Sequence, residues 1–513
     1  MTKIDPQSWK ADIADFREKT AAFYAGEMDK GAYKGFSGRY GSYAQRGGAK
    51  SMLRLRMPAG RVTPQKLSFV ADVIREKHVP RIHFTTCQTI QLHDLDQETT
   101  CAIMERALDY GIVTIGGGGD FPRNVMCSPL SGVEKNEYFD VLPWAEAAGE
   151  YLMNFINAEK MPRKLKVGFS NSPANVPHVT YRDLGFAARQ DGKFDVYSAG
   201  GLGNNPRFGV KVAEAVEPEK ILYYIKAMWL LFRAYGNYEN RGKARTRYMQ
   251  ETLGSTDAYI KAFQEKLSEA QTEALDLTIT SAPQTKAGDG TTAEGARVLP
   301  QKQTGLYTVA WHPIGGQPDL ETLCAVSDAI SSMQGVEMRL SPDETAYIIN
   351  LTGAEAQRML DITADGAQTL FETSVSCIGG ATCQVGLRNS QGLLRACVDA
   401  VRAANIPDGA LPQTHISGCP SSCGTHQTGI LGFRGATKRV DNAPRAAFLL
   451  FVNGDSRQGQ ETMGREVGVI LETEIPDFLV ELGKTVADSG KSFTEWLAEN
   501  PQGIDSIAAP YIG

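Results

Sequence analysis

The chain has 513 residues, 42% of them hydrophobic and 22% charged, with a formal net charge of −6. This is the composition of a folded globular protein large enough for several cores, and its negative balance gives no reason to expect nucleic-acid binding. No run of about 18 apolar residues stands out as a membrane span. The first residues, Met1 to Gln7, lack the apolar core of a secretory signal, and nine cysteines is an odd count. A reducing cytoplasm is therefore the expected setting.

Trp9, Ile13, Phe16, Ala21 and Phe23 recur at roughly helical spacing, which predicts one or two amphipathic helices over residues 5–30. A Gly-punctuated basic loop runs from Gly38 to Arg46. A strand over Met52 to Met57 follows, alternating apolar residues with Arg54 and Arg56. A helix over 63–77 leads to a second strand, Arg81 to His93, with the polar centre Thr85-Thr86-Cys87-Gln88. Gly60, Leu67, Asp72, Ile74, Thr89 and Leu95 recur at one constant interval as Gly316, Leu323, Asp328, Ile330, Thr345 and Leu351, which predicts an internal repeat. The second copy has Ser341-Pro342-Asp343-Glu344 in place of the polar centre, as expected of a duplicated scaffold with one working face.

Between the copies lie Gly116 to Asp120, then Pro122-Arg123-Asn124-Val125, and a helix near 138–157. Pro162 to Lys166, Gly200 to Gly203, an apolar helix over about 218–235 and the basic run Asn240 to Tyr248 complete this part. Gly200 to Gly203 lacks the G-x-G-x-x-G spacing, and Gly116 to Gly119 is not followed by Gly-Lys-Ser/Thr, so neither predicts a nucleotide site. Residues 279–304, rich in Thr, Gly, Ala and Gln, predict a linker. Towards the C-terminus a strand is expected over Ala446 to Val452 and a helix near 475–488, with Trp496 as a packing anchor.

Four cysteines organise the C-terminal part: Cys377 with Cys383, and Cys419 with Cys423. Thiolates are soft ligands that suit zinc and iron–sulfur clusters. Structural zinc sites usually begin with two to four residues between the first two ligands, which the wider first pair fits poorly. Glycines around both pairs allow the backbone to close round a compact inorganic core. Structural cysteines or disulfides are the competing reading.

The two cysteine pairs are joined by Tyr43 to Arg46, Met52 to Arg56, Thr85 to Gln88, Pro122 to Val125, Pro162 to Lys166, Gly200 to Gly203, and Asn240-Arg241 with Ala244-Arg245. In order and spacing they resemble the siroheme-dependent sulfite/nitrite reductase hemoproteins over nearly the whole chain. The resemblance implies an α+β fold with a pseudo-twofold repeat of ferredoxin-like half-domains, 1–115 with the N-terminal helices and 305–365. Two α+β modules, 116–278 and 366–513, would hold siroheme and a [4Fe-4S] cluster, with 279–304 as the linker. Cys377, Cys383, Cys419 and Cys423 would be the cluster ligands, and Cys423 would bridge to the siroheme iron.

Siroheme carries many carboxylates, which arginine forks bind well. Arg54, Arg56, Arg81, Arg163 and Arg388 are candidates, with Thr86, Gln88 and Asn124 as further cofactor contacts. By resemblance Arg123, Lys164 and Lys166 hold the anion and help deliver protons, and crowding lowers each lysine's pKa. Cys87 stands where the family commonly has Arg. His83 or Arg81 could restore the missing cation, and Cys87 could instead be cross-linked to Tyr43. The expected function is six-electron reduction of a small oxyanion, sulfite to sulfide ahead of nitrite to ammonia because of the two lysines. A siroheme or iron–sulfur redox sensor is the other class. Electrons are expected from ferredoxin or a flavoprotein, docked electrostatically.

Overall fold

A computed structural model describes residues 5–279 and 286–512. The internal repeat is visible element by element. Strands Ser51–Leu55, Arg81–Phe84 and Ile90–Leu95 return, at the interval shown by the sequence identities, as Tyr307–Trp311, Glu337–Leu340 and Ala346–Leu351. Helices Pro64–Lys77 and Gln97–Ala107 return as Leu320–Ser331 and Gly353–Ile362. Even the N-caps repeat. Thr63 and Asp96 cap the first pair, Asp319 and Thr352 the second, each side chain accepting a backbone N–H of the first turn.

The stretch expected as one strand, Arg81 to His93, is instead a hairpin. Gln88 turns the chain with φ 54°, its N–H donating to the Thr85 carbonyl at 2.8 Å, and the Thr85 N–H donates to the Thr89 carbonyl at 3.0 Å. The polar centre is therefore a hairpin tip that projects beyond the sheet. Glu344 occupies the same position in the second copy, with φ 72°. Gly60 packs against this tip at φ +72°, where an added Cβ would stand 2.6 Å from both Gln88 Nε2 and the Leu340 carbonyl oxygen. Gly60→Ala is expected to lower unfolding free energy by about 2–4 kcal/mol, from left-handed strain plus overpacking. Urea unfolding measures it, and a change below about 0.5 kcal/mol would show that the tip yields freely.

The two half-domains share one core. Phe84 and Trp311, both fully buried, meet edge to face with ring centroids 6.0 Å apart, and burying side chains of this size stabilises by about 2–3 kcal/mol each. Arg61–Val62, from the first copy, pairs with Glu337–Leu340 of the second. The stretch expected as linker enters this core: Val298–Pro300 pairs with Tyr307–Trp311, and Ala293 and Val298 are buried. Apolar side chains override its loop-like composition there. Residues 280–285 of that stretch lie outside the described residues.

The remaining two sheets share one strand order. In each, a two-residue strand, Met126–Cys127 or Val375–Ser376, runs parallel to the next, Val167–Ser170 or Thr414–Ser417. That strand is parallel to a third, and two antiparallel strands follow. Loops leaving the parallel strands, where α/β ligand sites tend to form, carry Cys377 and Cys419 in the second module. Helix Ile221–Tyr235 covers the first module, and Ile475–Asp488 with the buried Trp496 covers the second. No helix among the described residues is long and apolar enough to cross a membrane.

Candidate active site

A cavity of about 1160 Å³ lies where the first hairpin tip meets both modules. Cys377, Cys383, Cys419 and Cys423 line one wall, all as free thiols. The hairpin tip reaches that wall, with Thr86 Oγ1 donating to the Cys423 carbonyl at 2.9 Å. Cys377 Sγ lies 3.2 Å from Ser390 Oγ and accepts from the Gly418 N–H at 3.2 Å. Burial pushes the Cys377 thiol up to about 12, reinforced by Cys423. The Cys423 thiol is likewise raised by burial, opposed by Lys164 and reinforced by Cys419 and Cys383. Among the described residues no three His, Cys, Asp or Glu side chains converge as on a single metal ion.

The opposite wall is basic. Lys164 and Lys166 lie in the extended segment leading into Val167–Ser170 and both face the cavity. Burial holds Lys164 well below the usual lysine range, with Lys166, Arg245 and Arg123 adding repulsion. Lys166 Nζ donates to Cys87 Sγ at 3.1 Å. Burial alone would raise the Cys87 thiol, but Lys166, Arg182 and Arg54 outweigh it and bring it down to about 6. The lowered pKa favours the Cys87 thiolate, which offsets the Lys166 charge. Burial lowers the Lys166 pKa, and Cys87 opposes that shift.

Arg123 holds the glycine loop, donating from Nη1 to the Gly117 carbonyl at 2.7 Å and from Nη2 to Gly119 at 3.0 Å. Burial, opposed by Tyr43 and reinforced by Arg54, lowers its pKa to about 10. Arg54 donates to the Gly117 carbonyl at 2.6 Å. Arg56 is committed to the carbonyls of Ile115, Pro122 and Arg123, and Arg163 pairs with Asp120 at 2.7 Å. Asn124 Nδ2 donates to the Met57, Cys87 and Gln88 carbonyls, fixing the tip. All of these line the cavity.

Three sequence candidates stand outside its lining. Gln88 is buried behind it, where it accepts from the Cys127 N–H at 2.8 Å and donates to the Cys127 and Leu340 carbonyls. The turn at φ 54° points it backwards. Arg81 pairs with Asp94 at 2.9 Å and Thr382. Arg388 reaches away to Ala436 and Thr437 on strand Leu431–Val440. The missing cation at position 87 comes from neither Arg81 nor His83, whose Nε2 faces Glu344 Oε1 at 3.3 Å. Buried Arg182, held by the Pro177 carbonyl and His178, lies there instead. Its only sequence signal is the charged pair Arg182-Asp183 ahead of the apolar stretch Leu184 to Ala188. The Tyr43 hydroxyl accepts from the Gly119 N–H at 2.7 Å.

Residues 43–110 match the family model described as the nitrite/sulfite reductase ferredoxin-like half domain, and 118–271 match the nitrite and sulphite reductase 4Fe-4S domain. Over these two stretches the chain resembles the nitrite and sulphite reductases. The second of these models aligns with the first module, which shares its strand order with the module that bears the cysteine pairs. A ferredoxin–nitrite reductase of Synechococcus elongatus is 29% identical over 84% of this chain and 85% of its own. A ferredoxin sulfite reductase of Mycolicibacterium paratuberculosis is 24% identical over 87% of this chain and 81% of its own. The solved structure of Mycobacterium tuberculosis NirA superposes with a TM-score of 0.77 at 23% identity, covering 95% of this chain and 94% of that one, which supports the α+β fold.

The reductase family's cofactors are a siroheme and a [4Fe-4S] cluster, and this cavity fits both. Buried Arg39 Nε, Arg123 Nε and Arg245 Nε have no hydrogen-bond partner within the protein. Lysines and arginines far outnumber carboxylates along the lining. A ligand with many carboxylates satisfies such donors, since a buried donor left unpaired costs about 1–3 kcal/mol. The Cys377 and Cys423 thiols, whose pKa burial raises, would ionise on binding metal.

Proposed function

We propose that this protein is an enzyme that reduces a small oxyanion by six electrons in this cavity. Cys377, Cys383, Cys419 and Cys423 would hold the cluster. Bound there, the two cofactors would relay electrons from an external one-electron donor, and the chain's own groups bind the anion and move protons. Lys164 is the carrying observation: it faces the cavity, has no carboxylate partner among the described residues, and has its pKa lowered. A lysine in that state binds an anion and gives up a proton readily. Arg123 keeps the glycine loop in place around the anion.

Between the two substrates the geometry favours nitrite. The sequence expectation of sulfite rested on two lysine charges, and Lys166 is paired with Cys87 at 3.1 Å. One unmasked lysine suits a monoanion better than a dianion. The donor is a ferredoxin-type carrier, and the setting is the cytoplasm. Purified holoenzyme supplied with reduced methyl viologen should turn over nitrite with a kcat/KM about tenfold above that for sulfite. Turnover of neither anion would move the assignment to a redox sensor.

A further inference from the structure

The hairpin tip of the second copy, where Glu344 takes the place of Gln88, reaches the same cavity. Gln88 points back into the core, whereas Glu344, also fully buried, lines the cavity wall. Glu344 Oε2 accepts from the Ser376 N–H at 3.1 Å. Its Oε1 lies 3.3 Å from Nε2 of buried His83, another lining residue, and neither atom has a hydrogen-bond partner within the protein. Burial pushes the Glu344 carboxyl up. His83 and the Ser376 N–H oppose that shift, and Asp343 beside it on the tip adds to it.

The His83 ring is oriented by a chain of buried amides and imidazoles. Burial holds His93 well below the usual histidine range, so its ring is neutral and carries one N–H. Gln45 Oε1 accepts from the Asp94 N–H at 2.8 Å and lies 3.2 Å from His93 Nδ1, while Gln45 Nε2 donates to Asp94 Oδ1 at 2.6 Å. An oxygen in that position places the His93 hydrogen on Nδ1. His93 Nε2 then accepts from the Gln91 amide nitrogen at 3.2 Å, and the Gln91 oxygen accepts from Arg54 Nε at 3.1 Å. The same end of the Gln91 amide lies 3.5 Å from His83 Nδ1. His83 Nδ1 therefore faces a donor, and the hydrogen of its neutral ring is left on Nε2, towards Glu344. The proton free to move in this pair is the one on the Glu344 carboxyl.

We propose that Glu344 is a second proton donor to the bound anion, beside Lys164, and that His83 is the residue that positions it. This rests on the oxyanion reduction proposed above, which consumes protons along with electrons and releases oxygen as water. In each transfer the Glu344 O–H bond breaks and an O–H bond forms on an oxygen of the anion. Glu344 is left as a carboxylate that accepts from the His83 Nε2–H until solvent entering the cavity returns the proton. The second copy, which lost the polar centre of the first, thus keeps a part in the site.

The test is E344Q in holoenzyme supplied with reduced methyl viologen and nitrite. Glutamine keeps the shape and can accept from Ser376, but it holds no acidic proton. The kcat should fall about tenfold or more with KM for nitrite little changed, while siroheme and iron contents stay at wild-type levels. In wild type kcat should fall as pH rises through the elevated Glu344 pKa, and E344Q should lack that limb. H83L should move the limb to higher pH, because the carboxylate loses the N–H that stabilises it. The infrared absorption of protonated carboxyl groups, read without substrate, should lose one component in E344Q. An unchanged kcat in E344Q, loss of siroheme or iron in step with the rate, or infrared absorption unaltered by the substitution would overturn the proton donor. Turnover of neither anion by wild type would instead strike the proposed function, with the infrared spectrum still deciding whether Glu344 carries a proton.

Discussion

Cys423→Ser is expected to fold and to lose six-electron turnover. Outer-shell partners of a metal ligand cost roughly 10–100-fold when removed, so loss of a ligand itself should cost more than about a thousandfold. Serine presents a hard oxygen in place of a soft thiolate, which iron–sulfur clusters take poorly. The side chain faces the cavity and not a packed core, while the Cys423 main chain, which accepts from Thr86, keeps its bond. The fold should therefore survive, as circular dichroism and urea unfolding would show. Iron and acid-labile sulfide per chain, the spectrum of the reduced cluster and turnover on nitrite read the effect. Wild-type ammonia production in that variant would remove Cys423 from the machinery.

Cys87→Arg should shift preference from nitrite towards sulfite, raising the ratio of kcat/KM for sulfite to nitrite by about tenfold or more. The substitution replaces a thiolate by a cation and releases Lys166, so the charge facing the anion rises twice over. Cys87→Ser should move it part of the way, since it removes only the negative charge. The thiolate can be read directly. Its folded pKa of about 6 lies below the ordinary thiol value, so the reactive form accumulates as pH rises through about 6. Iodoacetamide labelling of the Cys87 peptide in holoenzyme should climb between about pH 5 and 7 and be level above. Lys166→Met should move that midpoint upward, because burial then acts with less opposition. Labelling that first rises near pH 9 would show that Cys87 and Lys166 do not form an ion pair.

Spacing carried the repeat well, because a duplicated β-α-β unit keeps its caps, apolar faces and turn glycines at one interval. The pairs Thr63 with Asp319 and Asp96 with Thr352 do the same work in both copies without being identical residues. Alternation misled at Arg81 to His93. Apolar residues on both sides of a polar centre look like one strand, and only the left-handed turn at Gln88 shows the hairpin. The same turn explains why Gln88 points into the core while its neighbours Thr86 and Cys87 face the cavity. Composition misled at 286–304, where a strand forms because the second sheet offers it an edge.

Local order determined the duplicated scaffold, the pairing of the cysteines, and the lysines two apart before Val167, since these depend on periodicity and ligand spacing along the chain. Tertiary structure decided which charges meet. Lys166 and Cys87 come from separate elements far apart in sequence, as do the Arg388 fork and Thr437. Electrostatic energy depends on distance through space and on burial, and neither is written in the linear order of residues.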